Sequence, residues 1–385
     1  MEIIENSLNK LIKYIENENY KGYDPYDALN SWIPFYILGK WGPIIANQLI
    51  KRSPINIRQL IGIKKDYNSK GMGLILKAYC NLYRLKNNEI YLEKAKMIFE
   101  WLTDNYILSN SGIAWGYNFP WANTAEYVDR RLPTVVATSF VVDGLYSYWK
   151  ITKDIKAKNA IIGAAQYVKN DIPITRFDEG ICFSYHTKSH DICYNASLLS
   201  AEILLKANLV TNDIFDNLIN EAVLFVLSKQ NNDGSWNYSY DIKNNTERKQ
   251  IDFHQGFILT SLNNIYSNTN FLHNELHDAI NKGLLFYKEK QFESNGKSLW
   301  RYPLKWPVDI HNQSQGIITF SELKFFNTDY LNFANTIAKW TIENMQDKSG
   351  YFYFRKYPYF TNKISYMRWG QAWMFLALTE LLVNL

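Results

Sequence analysis

From residue 70 onward, the hydrophobic and polar positions fall into two kinds of segment of helical length. Both carry apolar residues at i, i+3, i+4 and i+7, the spacing of one helix face. In the first kind the remaining positions are also small or apolar, as in KGMGLILKAYCNLYRL from Lys70, LPTVVATSFVVDGLYSYW from Leu132, CYNASLLSAEILLKA from Cys193 and RWGQAWMFLALTELL from Arg368. HQGFILTSLNNIY from His254 and QSQGIITFSELKFF from Gln313 read the same way. The second kind, such as NEAVLFVLSKQ from Asn220 or ANTIAKWTIENM from Ala334, has Lys and Glu on its other face. The first kind is expected inside and the second outside. MEIIENSLNKLIKYIENENY has an acidic first turn and the same helical spacing, so it reads as an outer helix and not as a signal peptide.

Each outer segment ends at a glycine that follows a polar residue and precedes an aromatic alternation, as in DGSWNYS from Asp233 and SGYFYFR from Ser349. These glycines (Gly112, Gly180, Gly234, Gly296 and Gly350) recur about every 60 residues, which is the length of two helices and two loops. Gly234 is expected to supply a positive-φ turn, and Trp236 to plug between hairpins. Pairing the N-terminal helix with the C-terminal one gives twelve helices. The pattern therefore predicts an all-α chain of six helical hairpins closed into a ring, as one domain over residues 1–385. Residues 18–69, with GYDPYDALNSW and short apolar pieces, are expected to form an irregular insertion wrapping one mouth. Turns from inner to outer helices are short, while the long loops before each inner helix all emerge at one end, where the site is expected.

Composition narrows the chemistry. Aromatics are 16% of the chain, with 12 Trp and 28 Tyr, a stock of flat faces suited to sugar rings or to a Tyr-rich core. A net charge of +5 without a run of five basic residues gives no support for nucleic-acid binding. Three cysteines exclude a disulfide framework and fit a reducing compartment, hence a cytoplasmic protein. No window approaches 18 uninterrupted apolar residues, so no membrane span is expected.

The long loops and inner-helix starts collect the candidate residues. IDFHQG and VDIHNQSQG place an Asp-x-His pair at the same point of two successive repeats: Asp252 with His254, and Asp309 with His311. Two carboxylates at neighbouring helix starts could act as acid and base, or both could be helix N-caps. Tyr366 joins these four as a candidate for proton transfer. Substrate contacts are expected from Trp115, Tyr117, Trp121 and Tyr185, from Asn195, Gln255 and Gln315, and from Trp369. Arg130, Arg131 and Arg368 could clamp an acidic group or pair with loop carboxylates. Cys182, His186, His190 and Cys193 are four zinc-type ligands within twelve residues, but their spacing matches no common finger, and no metal is expected. Nucleotide, serine-hydrolase and zinc-protease signatures are missing, and no cofactor is expected.

GYDPYDALNS, AWGYNFPW, PTVVATSFVVDGL, YNASLLSAEIL, DFHQGFIL, DIHNQSQGIITF and YMRWGQAW extend a resemblance over nearly the whole chain. It resembles the six-hairpin glycosidase-like superfamily with its (α/α)6 toroid, and within it a group of bacterial and archaeal proteins from polysaccharide-biosynthesis gene clusters. The resemblance implies a carbohydrate-active enzyme acting on a glycan or lipid-linked oligosaccharide by hydrolysis, elimination or uronate epimerisation. It carries over no catalytic residue. A non-catalytic glycan-binding or scaffold protein is the alternative. A terpene-cyclase-like enzyme is a further one, suggested by the Gln, Gly and Trp of the turns, although the Asp-rich tetrad of squalene and hopene cyclases is absent.

Overall fold

The computed structural model describes residues 1–124, 126–211 and 215–385, and among these the chain forms thirteen α-helices joined by short strands and turns. They are α1 (Glu2–Asn17), α2 (Trp41–Arg52), α3 (Ser69–Lys86), α4 (Glu89–Asp104), α5 (Val135–Thr152), α6 (Ile155–Asp171), α7 (Tyr194–Val210), α8 (Asp216–Ser228), α9 (His254–Tyr266), α10 (His273–Gln291), α11 (Ile310–Glu322), α12 (Asp329–Met345) and α13 (Ala372–Asn384). The odd-numbered helices from α3 to α13 pack side by side in chain order, and α13 packs back on α3, which closes the ring. Outside them stand α4, α6, α8, α10 and α12, with α1 against α13. The fold is an (α/α)6 toroid.

Local chemistry sets where each inner helix begins. Asn68 and Thr134 cap α3 and α5 by accepting the N–H of Gly71 at 3.3 Å and of Ala137 at 3.1 Å. Gly73 and Gly144 let these two helices touch backbone to backbone: a Cβ on Gly144 would stand 2.5 Å from the Gly73 carbonyl oxygen. A π-turn at Met367–Gln371 precedes α13 and inserts one residue into the helical register.

The repeated turns are built by a common clamp. Gln255 accepts the N–H of Trp236 at 3.1 Å and donates back to its carbonyl, and Gln371 does the same for Phe352 at 2.8 Å each way. Gln313 holds the turn before α11 likewise, through Ser298 N–H at 2.7 Å and the Gly296 carbonyl. Gly234 has φ +90°, and a Cβ there would lie 2.3 Å from the carbonyl oxygen of Lys282 on the next outer helix. Trp236 is buried between hairpins and donates to the Val226 carbonyl at 2.9 Å. Beyond the turns, short strands stitch neighbouring loops into a rim: Ile192–Cys193 pairs with Ser239–Asp241, and Val308–Asp309 with Arg355–Lys356.

Inside the ring, all six inner helices contribute to one buried polar network. Lys77 binds Asp143 at 3.0 Å and Glu322 and Glu380 at 3.2 Å each. Lys206 binds Asp143 and Glu202 at 3.0 Å, and Ser261 and Asn264 donate to Glu202. Four carboxylates against two ammonium groups leave two negative charges without a cation. Burial, then the Glu380 and Asp143 charges, push Glu322 up to about 7 despite Lys77. Its folded value lies above the unfolded one, so this stability is complete below about pH 4.5 and lost as pH rises through about 7. Glu322→Gln, which keeps the oxygen facing Lys77, is expected to be more stable than wild type by about 1–3 kcal/mol near pH 9 and equal to it near pH 4. Urea melts at the two pH values check this.

Candidate active site

At the mouth formed by the inner-helix starts, the sharpest pair is Asp252 and His254. The chain enters α9 with Asp252 Oδ1 accepting the His254 backbone N–H at 3.2 Å and its ring Nδ1–H at 2.5 Å. Oδ2 accepts Gln250 Nε2 at 2.7 Å, with Arg301 Nε 3.6 Å away. Burial alone would raise this carboxyl. The His254 imidazole and the hydrogen bonds hold it below its ordinary value instead, so it is a carboxylate. With Nδ1 engaged, Nε2 is the ring atom left to take or give a proton. The His254 side chain is half-buried, edge-on to Tyr238 at 4.7 Å.

The second histidine is placed differently. His311 is buried, and neither ring nitrogen has a hydrogen-bond partner among the described residues. Phe253 stacks on it at 4.2 Å and lies 4.2 Å from His254 as well, so one phenyl ring packs against both imidazoles. Trp369 and Trp373 each lie 4.6 Å from the His311 ring. Burial, then the Lys70 and Arg368 charges, hold His311 well below 6.5, so it is neutral. Phe253 therefore acts as its cover. Phe253→Ala is expected to make His311 react with diethyl pyrocarbonate at least about tenfold faster, read by peptide mass spectrometry, while His254 reacts in both proteins.

Lys70, in the first turn of α3, is the group that sequence reasoning missed. Its ammonium lies over Phe140 at 4.3 Å, with Trp373 at 5.3 Å and Phe257 at 5.5 Å. Among the described residues no carboxylate pairs with it. Burial, then the Arg368 guanidinium, hold its amine well below the ordinary lysine value. Those three aromatic rings form a floor. Below it lies a cavity of about 40 Å³, lined also by Lys77, Glu202 and Glu322 of the polar network. The available signal was position: Lys70 occupies the first turn of an inner helix, as His254 and His311 do.

The remaining carboxylates and arginines are spent on one another. Asp309 is fully buried: Oδ1 accepts the His311 N–H at 2.9 Å and Trp369 Nε1–H at 2.8 Å, and Oδ2 accepts Arg355 Nε at 2.7 Å. It is the N-cap of α11 and an anchor for Trp369. Arg368 is forked onto Asp24 at 2.6 and 2.8 Å and lies 5.0 Å over Tyr117. Arg58 binds Asp27 at 2.7 Å and lies 4.8 Å over the buried ring of Tyr366. Asp24 thus ties GYDPYDALNSW to the turn before α13, and Asp27 ties it to Arg58. The Lys51 ammonium, from the last turn of α2, bonds the Tyr26 hydroxyl and sits 5.6 Å over Trp369.

Other expected residues scatter. Tyr117 and Tyr185 meet at the mouth, hydroxyl to hydroxyl at 3.3 Å, and burial pushes both hydroxyls up. Trp121 is half-buried on the rim strand Trp121–Ala122, beside Tyr117 and Phe119. Three substrate assignments need correction. Trp115 is fully buried and donates to the Leu102 carbonyl at 3.0 Å, so it offers no face to a sugar. Gln255 is a turn clamp. Gln315 bonds Thr319 at 3.0 Å and lines the small cavity under the floor. Asn195 accepts from Cys193 at 3.1 Å. Arg130 pairs with Asp66 at 3.0 Å on the surface, and Arg131 is an exposed positive-φ turn residue. The four zinc-type ligands do not converge: His186 binds Glu126 at 3.0 Å, His190 is exposed, and burial pushes the Cys193 thiol up to about 12. Among the described residues no group of three or more such side chains could hold a metal.

No family model matches the chain, and no curated protein matches it in sequence. Solved structures share its fold. A sugar epimerase from a ruminal bacterium matches with a TM-score of 0.62 at 13% identity, covering 84% of this chain and 90% of its own. Cellobiose 2-epimerase from Bacillus thermoamylovorans gives 0.61 at 15%, over 82% and 88%. An unsaturated glucuronyl hydrolase specific for heparin gives 0.61 at 12%, over 98% and 95%. At such identities the likeness establishes the six-hairpin toroid, and the reaction has to be argued from the residues.

Proposed function

We propose that this chain is a carbohydrate-active enzyme that moves a proton on a sugar at the mouth of the ring. His254 is the base, and the reaction is epimerisation or elimination. One observation carries the reading: Asp252 holds Nδ1 of a half-buried imidazole and leaves Nε2 for substrate. Hydrolysis by paired carboxylates needs one protonated acid free to reach the glycosidic oxygen. Neither carboxylate is free in that way, because Asp309 is held by Trp369 and Arg355, and Asp252 by His254 and Gln250. Stacking faces come from the half-buried Tyr26 and Trp121, and Lys70 supplies a buried amine for an oxygen or a carboxylate of the substrate. Sharing a fold with sugar epimerases and a glucuronyl hydrolase supports a glycan as the substrate. Work in polysaccharide metabolism, on a free or lipid-linked oligosaccharide, follows from the same reading. A cyclase would need an apolar chamber, which Lys70, His311 and Arg368 deny.

The test is incubation with reducing disaccharides and uronate-containing oligosaccharides, read by mass spectrometry and NMR. A product of unchanged mass with new ring signals, or one with a new unsaturated bond, is expected. Products formed only by addition of water, or binding without turnover, contradict the proposal.

A further inference from the structure

The stretch Ala28–Lys65 has a composition unlike the rest of the chain. It contains six basic residues, Lys40, Lys51, Arg52, Arg58, Lys64 and Lys65, and no Asp or Glu. Within it, α2 buries one face through Ala46, Asn47 and Ile50 and turns the other outward. That outer face carries Trp41, 60% exposed, then Ile45, 50%, and Leu49, 66%, at i, i+4 and i+8. The short helical turn Phe35–Leu38 packs against the start of α2, where a Cβ on Gly42 would meet the Phe35 carbonyl and Leu38. Its Tyr36, Ile37 and Leu38 are each at least 70% exposed; Trp32, which precedes this turn, is exposed too, and its N–H bonds the carbonyl of Ile61, next to the exposed Leu60.

Exposed large apolar side chains gathered this densely in one stretch of chain mark a docking surface. Its charge identifies the partner. Arg58 is buried on Asp27, and Lys65 pairs with Glu18, which leaves Lys40 and Arg52 exposed at the two ends of α2 and Lys64 exposed farther along the stretch. Aromatic and aliphatic side chains flanked by lysine and arginine that have no carboxylate partner among the described residues fit an anionic lipid surface, with the rings at headgroup level and the basic groups on the phosphates. No described helix is long and apolar enough to cross a bilayer.

We infer that residues 31–60 form a monotopic docking element, with α2 lying in the plane of an anionic bilayer. The element borders the mouth, since Lys51 reaches Tyr26 and Trp369 and α2 packs on the strand Trp121–Ala122. A saccharide carried on a lipid would then enter from the membrane side. That consequence rests on the sugar reading of the site, whereas the docking itself does not.

Co-sedimentation with phosphatidylcholine vesicles containing about 30% phosphatidylglycerol tests it. The full chain is expected to sediment with these vesicles, and to stay in solution with pure phosphatidylcholine or at high salt. The triple variant Ile37→Ser, Trp41→Ser, Leu49→Ser should weaken binding at least about tenfold, and so should the pair Lys40→Glu, Arg52→Glu. All five side chains are exposed, and unchanged thermal melts confirm intact folding. Wild-type protein left in the supernatant with anionic vesicles overturns the inference, as does wild-type binding by the triple variant. A micromolar wild-type dimer that the triple variant splits, without vesicle binding, overturns it in favour of a second copy of the chain. None of these readouts uses turnover, so docking can fail while the reading of the site stands.

Discussion

Replacing Asp252 with Asn is expected to lower turnover by roughly 10²–10⁴-fold with little change in KM. The carboxylate does not face the substrate in this account. It accepts Nδ1–H of His254 at 2.5 Å, fixing the tautomer in which Nε2 is unprotonated and basic. An amide of the same shape can present its NH₂ to Nδ1 instead, which puts the proton on Nε2 and turns a base into a donor. Gln250 still has an oxygen to bind, whereas the His254 backbone N–H, which shares Oδ1 with the ring, then faces the NH₂, so a modest loss of stability at the helix start is expected. His254→Gln should lose at least as much activity. A loss confined to KM would place Asp252 in binding, and an unfolded Asp252→Asn protein would make the pair architectural. Parallel kinetics and melting curves separate these results.

Lys70→Met is expected to stabilise the protein by about 1–3 kcal/mol while cutting activity at least tenfold. An amine buried over Phe140, Phe257 and Trp373, with no carboxylate paired to it among the described residues, costs folding energy whether it is charged or neutral. Methionine fills the same space and removes that cost. A group kept at such cost is best explained by what it does for a ligand, since active-site residues trade stability for function. Urea unfolding and sugar binding measured on the same variant check the two halves. Lower stability with unchanged binding would assign Lys70 to packing.

Much of the architecture was legible because it repeats. Six inner helices begin at Ser69, Val135, Tyr194, His254, Ile310 and Ala372, close to the starts read from the sixty-residue period. Glycine turns and apolar stripes are local signals, and the ring multiplies them. The site was legible only in part, for a physical reason. Asp252 and Asp309 sit in the same motif at the same helix start, yet one holds a histidine and the other holds Arg355 and Trp369. That difference comes from loops distant in sequence, which periodicity does not read. Gln255 looked like a ligand residue because it stands beside His254, but its amide closes a turn 19 residues upstream. Arg368 looked like a free clamp because Asp24, its partner, lies 344 positions away in the insertion. Lys70 was missed because a lysine in a small-residue helix reads as a solvated position unless its neighbours across the ring are known.

Solvent-deuterium exchange tests the central claim most directly. With a panel of reducing and uronate-containing oligosaccharides in D₂O, wild-type protein is predicted either to place deuterium on a sugar carbon, by epimerisation, or to leave that carbon unsaturated, by elimination; each is seen as loss of one proton signal by NMR. His254→Gln should show none above background, and Asp252→Asn a rate lower by roughly 10²–10⁴-fold. Exchange or elimination at the wild-type rate in His254→Gln, or turnover by wild type with neither carbon-bound deuterium nor a new unsaturated bond, would contradict the account.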